Sequence, residues 1–96
     1  MDILVTYDVN TLTKEGRRRL RKVAKLCEGH GQRVQFSVFE CTVSDMQKER
    51  LVARLLDVID RDEDSLRIYQ LRGGREAVLE AWGRDTYVDF TGTLVI

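Results

Sequence analysis

No proline occurs anywhere in the chain, and no stretch is of low complexity. Linkers and disordered arms depend on such composition, so neither is expected. Cysteine is scarce: Cys27 and Cys41 stand without a C-x-x-C pair or a metal-ligand spacing. Cys27 falls on an apolar helical stripe and Cys41 in a β run, which reads as two buried thiols in a reducing compartment. The single histidine, His30, sits at a predicted helix end and reads as a surface or capping residue, so no histidine general base is in view. No apolar run approaches a membrane span and no signal-peptide pattern is visible, so a cytoplasmic protein with no membrane association is expected. Net charge is zero, 16 basic against 16 acidic residues, and the average gives no reason to expect a nucleic-acid partner. A chain of 96 residues has room for one domain, 1–96.

The zero average hides a gradient. Lys14 to Lys25 holds Lys14, Arg17, Arg18, Arg19, Arg21, Lys22 and Lys25 against the single acid Glu15. Asp57 to Asp64 holds Asp57, Asp60, Asp62, Glu63 and Asp64 against Arg61. At 100° per residue, Leu20, Val23, Ala24 and Cys27 converge on one stripe of a helix over Lys14–His30, capped by Thr11 or Thr13 and stopped by a left-handed Gly31. Arg18, Arg21, Lys22 and Lys25 fall opposite, with Arg17 and Arg19 on the flanks. Such a face is either solvated or a phosphate-binding surface, because like charges at these spacings repel unless an anion neutralises them. The acid cluster reads as a solvated loop rather than a metal site, its members being consecutive and in a turn.

Asp2–Val9 is rich in β-branched and aromatic residues and lacks helical period, so it reads as a strand. Ile3, Val5, Tyr7 and Val9 share one face; Leu4, Thr6 and Asp8 share the other. Asp8 thus closes the strand at the edge where α/β sheets commonly place ligands, although a turn or capping Asp is the plainer reading. Arg33 to Val43 is a second β stretch whose phase breaks around Phe36-Ser37-Val38, which implies a bulge or a tight reversal. Ser44 and Gln47 form a capping box for a second helix to about Asp60, with Leu51, Leu55, Val58 and Ile59 inward. Leu66–Leu71 is a third β stretch, Glu76–Trp82 a short helix, and Val88–Phe90 and Thr93–Ile96 short β runs.

This order, βαββαβ with an extension, is that of an α+β, ferredoxin-like two-layer sandwich with two helices on one face of an antiparallel sheet. The second face carries Leu4 and has nothing left to cover it. A face-to-face homodimer or edge pairing by the tail strand would solve this.

Tyr7-Asp8-Val9, Gly16-Arg17-Arg18-Arg19-Leu20, the run Gly31-Gln32-Arg33-Val34-Gln35-Phe36-Ser37-Val38-Phe39-Glu40, and Asp64-Ser65-Leu66-Arg67-Ile68-Tyr69 together resemble the CRISPR-associated protein 2 family, the small subunit of the CRISPR adaptation machinery. The resemblance spans nearly the whole length and is loosest over Gly73–Asp89. It implies a homodimer in which residues 92–96 of each protomer join the other's sheet. It implies an Asp8 from each chain facing its twin across the dyad with a shared divalent metal, Mg²⁺ or Mn²⁺. It implies cleavage of RNA or DNA phosphodiesters in some members, and a scaffold role beside the integrase subunit in spacer acquisition. Tyr7, Asp8, Arg17, Arg19, Arg33, Ser37 and Phe39 match positions the family treats as functional: Tyr7 and Asp8 for catalysis, the rest for nucleic acid. Arg18 and Arg21 join the latter from the basic face.

The chemistry suits the residues. Mg²⁺ binds through one or two carboxylates and keeps several waters, so two-fold symmetry would complete a site that one Asp cannot. Three functions compete: a metal-dependent nuclease, a non-catalytic DNA-binding scaffold in which the arginines matter and Asp8 does not, and a regulatory module binding a small ligand. The last needs a Gly-rich ligand loop, and Gly73-Gly74 follows a strand without a P-loop lysine.

Overall fold

Period-two and period-3.6 patterns sort the chain into strands and helices much as expected. The computed structural model describes residues 1–72 and 76–83. Its elements are β1 (Asp2–Asp8), α1 (Lys14–Glu28), β2 (Gly31–Gln35), β3 (Val38–Thr42), α2 (Asp45–Val58), β4 (Ser65–Arg72) and β5 (Glu76–Gly83). The strands form one antiparallel sheet in the order β2-β3-β1-β4-β5, with two helices packed on one side.

Helix starts follow side-chain chemistry. Thr13 caps α1, its hydroxyl accepting from the Gly16 amide at 3.0 Å. Ser44 and Gln47 exchange both bonds of the predicted capping box, at 3.1 and 2.8 Å. The end of α1 differs from expectation. The helix stops at Glu28 with Gly29 in right-handed conformation, and the His30 amide closes the turn onto the Cys27 carbonyl at 3.0 Å. Gly31 does not stop the helix; it opens β2, where a Cβ would lie 2.0 Å from the Glu40 carbonyl oxygen. A close strand approach, not a left-handed cap, requires that glycine.

The core lies between helices and sheet. Ile3, Val5, Tyr7 and Val9 meet Val23, Cys27, Leu51, Leu55 and Ile59 from above and Phe39, Cys41, Leu66 and Ile68 from neighbouring strands. Cys27 and Cys41 are free and buried, and burial pushes the Cys27 thiol up to about 12, so it stays protonated. The phase break in the second β stretch is a reversal at Phe36-Ser37, with a register shift between Arg33 and Gln35.

Two expectations are corrected. Leu4, assigned to an uncovered face, is 1% exposed within the single chain, between its cross-strand neighbours Glu40 and Tyr69. Glu76–Trp82 is not a helix but part of β5, paired with β4 from Arg72↔Glu76 to Ser65↔Gly83. Its local preference yields to the open backbone edge of β4, and the strand turns Glu80 toward Lys48 of α2 and Trp82 toward the core. The runs Val88–Phe90 and Thr93–Ile96, the tail 92–96 and the Gly73-Gly74 loop lie outside the described residues. Among the described residues, no helix is long and apolar enough to cross a membrane.

Gly16 joins the two halves of the β1–α1 unit. A Cβ there would lie 1.8 Å from the Asn10 carbonyl oxygen, a clash that backbone cannot relieve cheaply. Gly16→Ala should therefore cost roughly 1–3 kcal/mol despite the better helix propensity of alanine. Gly29→Ala meets nothing closer than 3.5 Å and keeps right-handed backbone, so it should be neutral or stabilise by about 0.5 kcal/mol. Thermal denaturation of both variants checks this, each kcal/mol moving Tm by about 4–8 °C in a chain of this size. Equal melting temperatures would contradict it.

Candidate functional site

The alternation of β1 separates its last two residues. Asp8 is exposed at the strand end, on the face of Leu4 and Thr6 and in register with Ser65 of β4. Tyr7 points the other way and is 5% exposed. Its ring stacks with Phe39, centroids 6.2 Å apart and planes 20° from parallel. Its hydroxyl donates to the Phe36 carbonyl at 3.5 Å and its amide to the Ser37 carbonyl at 3.1 Å. Burial raises the Tyr7 pKa above its ordinary value, with the Arg33 guanidinium pulling weakly the other way, so the phenol stays protonated. Tyr7, expected beside Asp8 in catalysis, is buried and pins the β2–β3 tip to the end of β1.

Phe39, expected at a nucleic-acid surface, is fully buried, because it shares the inward parity of Cys41. Arg33 remains exposed, with its guanidinium carbon 5.1 Å from the Phe39 ring centre. Ser37 is half-buried and lends its carbonyl to Tyr7. The structure thus brings Tyr7, Arg33, Ser37 and Phe39 together and leaves the α1 arginines as a second group. Of these, Arg17 is exposed and donates to the Thr11 carbonyl at 3.2 Å. Arg18 and Arg21 are exposed and enter no ion pair among the described residues.

Arg19 is different, and its partner is the residue that the sequence concealed. Asp64, read as part of a solvated acid loop, is 0% exposed. Arg19 grips it through Nε to Oδ2 at 2.8 Å and Nη2 to Oδ1 at 3.2 Å. The amides of Asn10 and Asp60 fill the remaining positions at 3.0 and 2.9 Å. The Asn10 side chain adds a bond to Glu63 at 2.7 Å. Asp57, Asp60, Asp62 and Glu63 are exposed, as a loop reading requires. The only hint of the exception was that Arg19 flanks the basic face rather than centring it.

Among the described residues, no group of three His, Cys, Asp or Glu residues stands together, at Asp8 or elsewhere. The Asp8 carboxylate fits Mg²⁺ or Mn²⁺ only as half of a site.

The model of the family described as CRISPR associated protein Cas2 matches residues 1–77. The chain belongs to the Cas2 family. It is 51% identical over 96 residues, the whole of both chains, to a Moorella thermoacetica protein named CRISPR-associated endoribonuclease Cas2 1. It is 45% identical over 95 residues, 99% of each chain, to the CRISPR-associated endonuclease Cas2 of Halalkalibacterium halodurans. Among solved structures, Streptococcus pyogenes Cas2 superposes with a TM-score of 0.72 at 54% identity, covering 77% of this chain and 89% of that one. The α+β architecture with an antiparallel sheet and two helices is thus that of solved Cas2 structures.

The Arg19–Asp64 pair of this Cas2-family chain is set by competing terms. Burial by itself would raise the Asp64 pKa; the bonds from Arg19 and from the Asp60 and Asn10 amides outweigh it and hold the carboxyl below its ordinary value. Stability from a depressed carboxylate is present above its unfolded pKa, about 4, and is lost as pH falls through the folded value. Asp64→Asn presents an amide where donors already point, and should cost roughly 3–5 kcal/mol at neutral pH. The deficit should shrink below about pH 4 as the wild type gives up the same contribution. Denaturant midpoints measured across that pH range check this; two curves that stay parallel would contradict it.

Proposed function

We propose that this chain is a metal-dependent nuclease subunit of CRISPR adaptation, cutting RNA or DNA phosphodiesters as a homodimer beside an integrase subunit in the cytoplasm. The observation that carries the reading is Asp8: an exposed carboxylate ending β1, with buried Tyr7 and Val9 on either side of it in the chain. The names of the relatives, endoribonuclease and endonuclease, support the same chemistry. The fold plan is ferredoxin-like, with residues 92–96 of each protomer joining the other's sheet. The Asp8 carboxylate of each protomer would then hold the Mg²⁺ or Mn²⁺.

When bound, the metal supplies Lewis acidity, lowering the pKa of a water and polarising a phosphoryl oxygen. Asp8 would hold it. Arg33 and Arg17 bind backbone phosphates, and Arg18 and Arg21 extend the track along α1. Tyr7 positions the β2–β3 tip through its bonds to the Phe36 and Ser37 carbonyls. Arg19 acts through Asp64 to fix the start of α1, and its guanidinium is already committed there.

A second reading, a non-catalytic DNA-binding scaffold, draws on the one-signed face of α1, where Arg18, Arg21, Lys22 and Lys25 enter no ion pair among the described residues. Asp8→Asn separates the two. Asp8 is exposed, so the exchange should leave the fold within about 0.5 kcal/mol. Cleavage of single-stranded RNA and duplex DNA in Mg²⁺ or Mn²⁺ should fall roughly a hundredfold or more. Cutting equal to wild type would leave the scaffold reading in its place.

The basic track has its own test. Arg18→Ala and Arg21→Ala should weaken binding across sequences and lower the slope of log K against log[salt] by about one for each phosphate that is no longer neutralised. Titrations over a salt series check this, and an unchanged slope would return these residues to a solvated face.

A further inference from the structure

Among the described residues, Phe36 is the most exposed of the large apolar side chains, at 92%. Neither metal binding nor the arginine track gives it a task. It stands at the β2–β3 reversal, where Arg33, Val34, Gln35, Phe36, Ser37 and Val38 line an open depression of about 740 Å³. From Gly29 to Phe39 the chain has no acid, and it carries Arg33 and His30. Tyr7 holds this tip through bonds to the Phe36 and Ser37 carbonyls. Continuing the β1–β3 pairing two steps beyond Thr6↔Val38 brings position 36 level with Asp8.

An acid-free segment with an exposed aromatic and a guanidinium suits one kind of occupant. A nucleic-acid strand offers phosphates to the cation and the flat face of a base to the ring. Bases within a duplex have both faces covered, so only an unpaired base can use such a platform. We infer that Phe36, with Arg33 beside it, is a stacking platform for an unpaired base of a strand that runs past Asp8. The inference rests on the proposed nucleic-acid function and deepens it by naming a side chain outside the metal site and the arginine track that would hold a base beside the carboxylate. Phe36 is then a binding residue that fixes which phosphodiester lies over Asp8.

The test uses the whole protein and a short, labelled single-stranded RNA, the same strand with abasic positions, and its duplex. Base stacking on one aromatic is worth roughly a tenfold change in affinity. Wild type should bind the base-bearing strand about that much more tightly than the abasic strand. Phe36→Ala and Phe36→Leu should lose this preference, Leu because it keeps apolar bulk without a π face. Phe36→Trp should retain it, and its fluorescence should be quenched by the base-bearing strand and not by the abasic one. Equal preference in wild type and Phe36→Ala would overturn the platform while leaving nucleic-acid binding intact. Failure of wild type to bind any strand would overturn both. A change in sedimentation of Phe36→Ala relative to wild type, with binding unaltered, would assign the ring to an interface between copies and overturn the platform as well.

Discussion

The bidentate pairing of Arg19 with Asp64 fixes three segments that would otherwise meet only at their ends. A carboxylate with no solvent exposure is tolerable only if every lone pair is used, and here four donors from three places use them. Arg19 brings α1, Asn10 brings the turn leaving β1, and Asp60 brings the turn entering β4. The sheet edge that carries Asp8 is therefore braced immediately behind the exposed carboxylate. Gly16 belongs to the same arrangement, since the Asn10 carbonyl occupies the space its side chain would need.

On that braced edge, strand parity distributes the tasks. Tyr7 and Phe39 face inward and stack in the core; Asp8, one residue on, faces out. The buried tyrosine is not wasted, because its hydroxyl and its backbone amide hold the Phe36 and Ser37 carbonyls of the hairpin tip beside the end of β1. Local burial on one face thus presents chemistry on the other. The α1 cations lie apart from this group and suit a longer strand of nucleic acid.

How much of this was legible depended on range. Asp8 at the end of β1, the reversal at Phe36-Ser37 and the Ser44–Gln47 capping box all follow from neighbours within a few residues, and each stands where the local pattern puts it. The Arg19–Asp64 pair did not follow, because 45 residues separate the partners and an arginine on a basic helix looks the same whether it meets a phosphate or a carboxylate. Glu76–Trp82 reads as a helix until the open edge of β4 is known. Phe39 was drawn to the surface by family resemblance, although its parity with Cys41 already spoke for the core.

On the proposed reading Asp8 is half of a metal site, and two chains are needed to complete it. The most direct measurement is a titration of Mn²⁺ into the protein followed by electron paramagnetic resonance of the free ion. Sharing between two Asp8 carboxylates predicts one ion bound per two chains, and none at that site in Asp8→Asn. One ion per chain, or binding that Asp8→Asn leaves unchanged, would contradict it.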